Sequence, residues 1–179
     1  MKRDTVHNQW KEDTMPQELK PDRRLTYAPA ASVADAVNLR ILRELVQDPR
    51  QTMAELGRRV GLSSPAATER VRRLEEAGVI QGYRLEISAA ALGLPIAAYV
   101  RVRPNPGQLP RIAELAQRIP EVVECYRVTG EDCFILKVYL PNLEQLDRVL
   151  DSFLVYGTTT TSLIQSSPVA LRSLPLPEE

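Results

Sequence analysis

The chain has 179 residues, 44% of them hydrophobic and 26% charged, and its formal net charge at pH 7 is zero. This length allows one large domain or two small ones, and the composition is ordinary for a soluble globular protein. No apolar run reaches the roughly 18 residues that a membrane-spanning helix needs. The N-terminus lacks the apolar centre of a secretory signal. These features predict a cytoplasmic protein with no membrane partner.

Residues 1–31 are polar, mixed in charge and interrupted by prolines. This composition predicts a flexible leader. The alternative is a short helix that docks on a neighbouring surface through Trp10. The chain's one histidine, His7, lies in the leader, so a His/Cys metal cluster is excluded. We therefore expect no metal site.

A helical pattern follows the leader. Ser32, with Asp35 three residues later, is a possible capping box at the helix start. The sequence Asp48-Pro49 ends the pattern, because the residue before a proline disfavours helical conformation. Apolar residues recur between these points at the helical period: Val37, Ile41, Leu42 and Leu45.

Residues 52–77 predict two further helices joined by a tight turn. Thr52 and Glu55 have the spacing of a capping box at the start of the first of these helices. Gly61 suits a left-handed residue at its end. Ser64 is the predicted N-cap of the second helix, and Pro65 its first helical residue.

This helix pair has the form of a helix-turn-helix. Its second helix carries a predicted buried stripe of Ala67, Val71 and Leu74. Although the chain is neutral overall, five arginines lie around the motif, and local charge matters more for nucleic-acid binding than the sum. The alternative is a plain helical hairpin with a solvated basic face. The arginines are Arg58, Arg59, Arg70, Arg72 and Arg73.

In the DNA-binding interpretation, the start of the second helix contacts phosphate and the next residues face base edges. Glu69 could accept a hydrogen bond from a cytosine amine. Arg72 and Arg73 point outward, toward phosphate or guanine. Arg70 lies nearer the buried stripe and could instead hold the helix pair of the helix-turn-helix together. The candidate DNA-binding residues are Ser63, Ser64, Pro65, Ala66, Thr68, Glu69, Arg70, Arg72 and Arg73.

Residues 79–87 have the pattern of extended chain, which predicts a small strand or wing that completes a DNA-binding domain at 32–87. Residues 88–94 are a predicted linker with one helical turn. Residues 173–179 are a predicted tail, although 169–171 could add a short strand.

Residues 95–172 predict a second domain with the order β-α-β-β-α-β, a ferredoxin-like unit. The last helix is expected to begin at a cap formed by Asn142, with Gln145 reaching back, and to end at Gly157. Its predicted core stripe is Leu143, Leu146, Val149, Leu150 and Phe153. The predicted strands are 96–102, 122–128, 133–140 and 158–165, and the predicted helices are 109–119 and the segment after 142. The overall fold class is therefore α+β.

The predicted strand 133–140 is apolar on both faces. Two helices cover only one face of a four-stranded sheet, so the other face is expected to pack on a second copy of the chain. The alternative is a solvated face with isolated apolar residues. One face carries Phe134, Leu136 and Val138; the other carries Cys133, Ile135, Lys137 and Tyr139.

The two cysteines, Cys125 and Cys133, are not cross-strand partners in this arrangement, so no disulfide is expected. Cys133 beside Asp132 could be a sensor thiol, but an inert apolar role is the alternative. The chain offers no nucleophile–base arrangement in a formed site, because Lys137 lies mid-strand and the histidine lies in the leader. An enzyme is not expected.

Four segments resemble the feast/famine (Lrp/AsnC) family of prokaryotic transcription regulators, and the resemblance covers roughly 33–172. The first two segments, 35–45 and 54–61, resemble its first helices, and 62–83 resembles its recognition helix and wing. Segment 120–138 resembles the centre of its effector domain. The resemblance implies a DNA-binding domain followed by a ligand-binding domain that dimerises through its sheet, often assembling to octamers. It implies double-stranded DNA with a palindromic operator as partner, and an amino-acid effector bound between dimers.

The same resemblance implies an effector site on the turn after 128 and on the last strand. Many family members have aspartate where this chain has Cys133, and Asp132 next to it could supply the contact to the ligand's ammonium group. The threonines of the last strand could instead reflect strand propensity alone. The implied effector residues are Gly130, Glu131, Asp132, Cys133, Thr159, Thr160, Thr161 and Ser162.

The competing hypothesis from another class is a small-molecule-binding or enzymatic ferredoxin-like module. In that case the N-terminal helices would serve as a docking hairpin. Sequence-selective DNA binding distinguishes the two hypotheses.

Overall fold

The computed structural model describes residues 35–177. The predicted leader, with His7, Trp10 and the predicted helix start at Ser32, lies outside the described residues. Ten elements are described. The helices are α1 (Ala36–Gln47), α2 (Met53–Val60), α3 (Ser64–Glu76), α4 (Leu109–Arg118) and α5 (Leu143–Leu154), with a 3₁₀ turn at Ala90–Leu92; the strands are β1 (Ile96–Pro104), β2 (Val122–Arg127), β3 (Phe134–Leu140) and β4 (Gly157–Leu163).

α1 begins later than its predicted capping box. Asp35 is the N-cap itself, and its side chain accepts a hydrogen bond from the Asn38 amide at 2.7 Å. Asp35 is thus the N-cap residue itself, whereas the prediction made it the residue three positions after the N-cap. The helix ends at Gln47 with Asp48 as its C-cap, as the following proline predicts.

The caps of α2 follow the prediction. Thr52 and Glu55 form a reciprocal capping box, and Gly61 ends the helix in the left-handed conformation with φ of 75°. The N-cap of α3 is Ser63 and not Ser64, so the prediction was wrong by one residue. Ser63 has the extended backbone of a cap and accepts from the Ala66 amide, which makes Pro65 the second helical residue.

α1, α2 and α3 enclose the first of two hydrophobic cores. Apolar residues at helical spacing on all three helices meet there, including the predicted stripe of α3. The buried members are Ile41, Leu45, Leu56, Val60, Ala67, Val71 and Leu74.

The predicted wing strand at 79–87 is not formed. Within residues 35–177, all four strands belong to one sheet, and none lies between α3 and β1. A lone extended segment needs a neighbouring strand to satisfy its backbone groups. Tyr83, Leu85 and Ile87 are exposed in this connector. The possible short strand at 169–171 is not formed either.

The second core lies between the sheet and the helices α4 and α5. The sheet has the order β2-β3-β1-β4, and each described pair is antiparallel. This is the ferredoxin-like arrangement, so the predicted α+β fold class is confirmed. The buried sheet residues alternate along the strands: Ala98, Val100 and Val102 on β1, and Phe134, Leu136, Val138 and Leu140 on β3.

α5 departs from its prediction in three details. Asn142 is the N-cap, but the Gln145 side chain donates to the Glu121 carboxylate instead of reaching back. Leu143 is 52% exposed, so the buried stripe begins one turn later, at Leu146. The helix ends at Leu154, and Gly157 is the first residue of β4, where a β-carbon would lie 2.2 Å from the Arg103 carbonyl oxygen.

Within residues 35–177, the helices α4 and α5 cover only one face of the sheet, and no helix lies over the second face. Tyr99 on β1 is 42% exposed and Tyr126 on β2 is 54% exposed. Ile135, Lys137 and Tyr139 on β3 point to the same side, opposite the buried residues of that strand. We call this surface the open face.

Within residues 35–177, no helix combines the length and apolar character needed to cross a lipid bilayer.

Candidate nucleic-acid interface and effector turn

α3 presents its N-terminal end and one side to solvent, because its buried stripe packs on α1 and α2. Ser63, Pro65 and Thr68 are exposed at this end, as are Arg72 and Arg73 further along. Ser64, Ala66, Glu69 and Arg70 are half-buried. All nine predicted DNA-binding residues therefore lie on α3 or its N-cap.

The start of α3 has the features of an anion-binding helix end. The first turn of a helix has amide groups without helical acceptors, and the helix dipole favours a negative group there. Pro65 supplies no amide, and the Thr68 hydroxyl donates to the Ser64 carbonyl at 2.9 Å. The Ser63 hydroxyl, which accepts from Ala66, is exposed beside this end.

Four charged residues on the exposed side of α3 form an ion-pair network. Arg72 donates to both carboxylate oxygens of Glu69, from Nε at 2.9 Å and from Nη2 at 2.8 Å. Arg73 Nε donates to the same carboxylate at 2.8 Å. Arg72 also pairs with Glu76. These guanidinium groups lower the pKa of Glu69 to about 2, and the Glu69 carboxylate raises the pKa of Arg72.

Arg70 points toward α1. Its Nη1 donates to Asp35 Oδ2 at 2.6 Å and to Asn38 Oδ1 at 2.9 Å. The hydrogen bond from Arg70 is the main reason that the pKa of Asp35 is lowered. Arg70 therefore fixes α3 against α1, and not against α2, the other helix of the pair that it was expected to hold together. Its contact with DNA stays a prediction.

The predicted effector turn lies at the end of the sheet, between β2 and β3. Gly130 has φ of 112°, which a residue with a β-carbon rarely adopts. The Cys133 thiol contacts the Gly130 carbonyl at 3.4 Å and the Glu131 carbonyl at 3.6 Å. Both cysteines of the described chain are thiols, and Cys125 lies opposite Leu136, so the two cysteines are not cross-strand partners.

Arg103 on β1 binds the acidic pair of this turn, and sequence reasoning missed it. Its Nη2 lies 2.5 Å from Glu131 Oε2, and its Nε lies 3.4 Å from Asp132 Oδ1. The available signal was strand alternation: Arg103 shares a face with Arg101 and Tyr99, opposite the buried residues of β1. The turn is therefore a mixed-charge site in which a guanidinium group occupies both carboxylates.

The four predicted hydroxyl residues of β4 divide between the two faces of the sheet. Thr159 and Thr161 pair with buried β1 residues on the helix side, whereas Thr160 pairs with Arg101 and Ser162 with Tyr99 on the open face. Thr158, which was not predicted, pairs with Arg103. Side chains alternate along a strand, so one ligand on one face can meet only half of this set. The effector role of these residues stays a prediction.

Metal chemistry has no donor set in the described part of the chain. No group of three His, Cys, Asp or Glu residues within 35–177 could hold a metal ion.

Two family models match the chain, one over each half. Residues 35–81 match a winged helix-turn-helix DNA-binding model, and residues 97–174 match the Lrp/AsnC ligand binding domain. A curated relative, the HTH-type transcriptional regulator LrpC of Bacillus subtilis, is 37% identical over 132 residues, covering 74% of this chain and 92% of the relative. The chain belongs to the Lrp/AsnC family of transcription regulators. LrpA of Mycobacterium tuberculosis is 38% identical over 117 residues, covering 65% of this chain and 78% of LrpA.

Solved structures of Lrp/AsnC proteins have the same fold. The structure of B. subtilis LrpC matches with a TM-score of 0.72 at 36% identity, over 77% of this chain and 99% of LrpC. A Neisseria meningitidis transcriptional regulator in complex with L-Met matches with a TM-score of 0.72 at 28% identity, over 79% of this chain and 96% of that chain. The protein is thus a DNA-binding transcriptional regulator and not an enzyme.

Proposed function

We propose that this regulator binds a palindromic operator as a homodimer or a higher assembly, up to an octamer, and that an amino acid bound at the C-terminal domain controls it. The observation that carries the proposal is the pairing of an exposed α3 with a ferredoxin-like sheet whose second face has no covering layer in the described part of the chain. The exposed α3 supplies a surface that binds DNA. The uncovered face of the sheet supplies a surface through which two chains can pair, so that the dimer has two copies of α3.

The DNA-binding role rests on the N-terminal end of α3. Ser63, Ser64 and the helix N-terminus bind backbone phosphate in this proposal, while Pro65, Ala66 and Glu69 face base edges. Thr68 flanks them and reaches a base or phosphate. Arg72 and Arg73 are exposed beside this surface and contact phosphate or guanine.

The effector role rests on the mixed charge around the turn. An amino acid carries a carboxylate and an ammonium group, and the turn offers a complementary group for each. Arg103 would bind the effector carboxylate, and Asp132 or Glu131 would bind the ammonium group. Because Arg103 occupies both acids in the described state, an effector has to replace these internal ion pairs with its own. The L-Met complex of the N. meningitidis relative supports an amino acid as the ligand class.

The assembly role rests on the open face. Tyr99 and Tyr126 are exposed on it in one chain, while Ile135 and Tyr139 are half-buried, and a twofold contact would cover all four in both copies. Two copies of α3 would then each read one half-site of a palindromic operator. The weak overall charge of the chain is consistent with affinity that depends on two or more copies binding at once.

Equilibrium binding to its own upstream DNA tests the regulator proposal. Fluorescence anisotropy is measured with that duplex and with a shuffled duplex of the same composition, across a salt series. We expect the upstream duplex to bind at least about a thousandfold more tightly, with a steep loss of affinity as salt rises. Equal and weak binding to both duplexes would refute the proposal.

A further inference from the structure

Glu69 lies at the centre of the ion-pair network on α3. One carboxylate accepts three hydrogen bonds from two guanidinium groups, those of Arg72 and Arg73. Both arginines are exposed, and both are candidates for contact with the duplex. In the unbound protein, a single acidic group therefore occupies donors that would otherwise bind phosphate.

The spacing on the helix makes this arrangement intrinsic to α3. Glu69 lies three residues before Arg72 and four before Arg73, and side chains at these separations share one helix face. Glu76 adds a second acid on the far side of Arg72. The network thus has two positive and two negative members, and the exposed side of α3 has little net charge to offer to a general polyanion.

We propose that Glu69 is a specificity-determining residue that makes the phosphate-binding capacity of Arg72 and Arg73 conditional on the base opposite it. The proposal rests on the proposed function, because it assumes that α3 enters the major groove of DNA. It adds that the Glu69 carboxylate mainly lowers the affinity for non-operator sequences, because it repels the DNA where it lacks a base contact.

The argument follows from what each group needs in the complex. When Arg72 and Arg73 turn to phosphate, Glu69 loses hydrogen bonds from both of them. A carboxylate is only an acceptor, so it must then find a donor on a base edge. In the major groove, cytosine N4 and adenine N6 provide donors, whereas guanine and thymine present acceptors. Opposite an acceptor, the acid is left unpaired beside a polyanion.

The consequence is an affinity difference between sequences. A DNA site with a hydrogen-bond donor opposite Glu69 replaces the hydrogen bonds that this carboxylate loses, so Arg72 and Arg73 can bind phosphate. A site with an acceptor there leaves the arginines on Glu69 or the acid without a partner, and both outcomes weaken binding. The neutral, isosteric substitution Glu69→Gln would remove this penalty, because an amide can donate as well as accept.

The test compares Glu69→Gln with Glu75→Gln. Glu75 lies on the same helix, and its carboxylate accepts from the Tyr83 hydroxyl at 3.0 Å rather than from an arginine of the network. The two variants change the net charge equally. Binding to the upstream duplex and to the shuffled duplex is measured for both variants and the native chain across salt, with circular dichroism and sedimentation to establish that the fold and assembly are retained.

We expect Glu69→Gln to raise affinity for the shuffled duplex by about tenfold while changing the upstream duplex less, so that discrimination falls. Its salt slope on shuffled DNA should steepen by about 1, because one acid no longer opposes phosphate contact. Glu75→Gln should leave the ratio between duplexes unchanged. An unchanged ratio in Glu69→Gln, or an equal change in both variants, would overturn the proposal.

This experiment separates the inference from the proposed function. If the native chain shows no preference for its upstream duplex, the regulator proposal fails. If the native chain discriminates and Glu69→Gln discriminates equally well, the regulator proposal stands and the role of Glu69 is refuted.

Discussion

Gly57 shows how one residue can set the geometry of the helix-turn-helix. It lies inside α2, where glycine is ordinarily less favourable than alanine by about 1 kcal/mol. Here a β-carbon would lie 2.7 Å from the Leu62 carbonyl oxygen and 3.3 Å from the Ser63 carbonyl carbon. The backbone of the turn thus passes directly over Gly57, and this close approach sets where α3 begins.

We expect Gly57→Ala to destabilise the protein by up to about 2 kcal/mol, because overpacking costs about 1–3 kcal/mol and the gain in helix propensity offsets about 1 kcal/mol of it. Urea denaturation followed by circular dichroism measures this change. Arg58→Ala, at an exposed neighbour on α2, is the control and should change stability by less than about 0.5 kcal/mol. A stabilised Gly57→Ala variant would show that the turn can move aside at little cost.

Arg70 and Arg103 have parallel roles at the residue scale, since each joins segments that are distant in sequence. Arg70 binds Asp35, 35 residues away, and Arg103 binds Glu131, 28 residues away. Both pairs are partly exposed, so each adds little to stability in water. Their effect is positional: one orients α3, and the other fills the acidic turn.

At the scale of elements, α3 combines two functions that its sequence separates by face. Ala67, Val71 and Leu74 fix the helix to the core, and the opposite side is exposed for a ligand. Changes on the exposed side should therefore alter DNA binding without unfolding the helix, while changes on the buried side should unfold the domain.

The double variant Arg72→Ala/Arg73→Ala tests this division. We expect operator affinity to fall by at least tenfold and the salt slope to decrease by about 1 for each phosphate contact that is lost. The assembly state, measured by sedimentation, should be unchanged, because α3 lies outside the sheet.

Arg111→Ala/Arg148→Ala is a matched control for that variant. It removes the same charge, and it also breaks ion pairs within helices, those of Arg111 with Glu114 and of Arg148 with Glu144. If the control weakens DNA binding equally, the effect comes from overall charge. Loss of the assembly in the Arg72→Ala/Arg73→Ala variant would show that the exposed side of α3 serves more than DNA binding.

At the scale of the whole molecule, the proposed assembly through the open face would let a neutral chain bind DNA with two copies of α3. Tyr99 and Tyr126 are exposed on it, while Lys137 lies near the Glu124 carboxylate at 3.9 Å and over the Tyr139 ring at 5.6 Å. The Lys137 charge is thus partly offset within the face. A second copy would bury the aromatic surface and bring two copies of α3 to one duplex.

We expect Ile135→Lys to dissociate the native assembly, because it places a charge without a partner in the middle of the open face. Sedimentation over a range of protein concentrations measures the mass. Val155→Lys is the charge-matched control, since Val155 is 71% exposed at the end of α5. A native chain that is monomeric at all concentrations, or an unaffected Ile135→Lys variant, would refute assembly through this face.

An effector should be detectable through its effect on stability. A ligand that binds only the folded protein stabilises it by about 2.7 kcal/mol at a hundred times its dissociation constant. We expect one or a few amino acids to raise the thermal midpoint, and Arg103→Ala to abolish that rise. Arg118→Ala, at the end of α4, is the control. A rise that persists in Arg103→Ala would place the ligand elsewhere.

Most elements followed from the sequence because their signals are local. Caps, prolines and helical spacing lie within a few residues of one another, so α2, α3 and the ferredoxin-like order were predictable. The error at the start of α3 is local too. Ser63 and Ser64 are both good caps, and the backbone path of the turn determines which of them is used.

The sequence by itself determined the helix-turn-helix, the alternation of the sheet and the identity of the exposed residues on α3, since these depend on periodicity. Only the tertiary structure decided that Arg70 turns to α1, that Arg103 occupies the acidic turn, and that 79–87 forms no strand within one chain. Each of these depends on which segments become neighbours in space. Long side chains reach partners that periodicity does not specify, and a strand exists only where another strand accepts its hydrogen bonds.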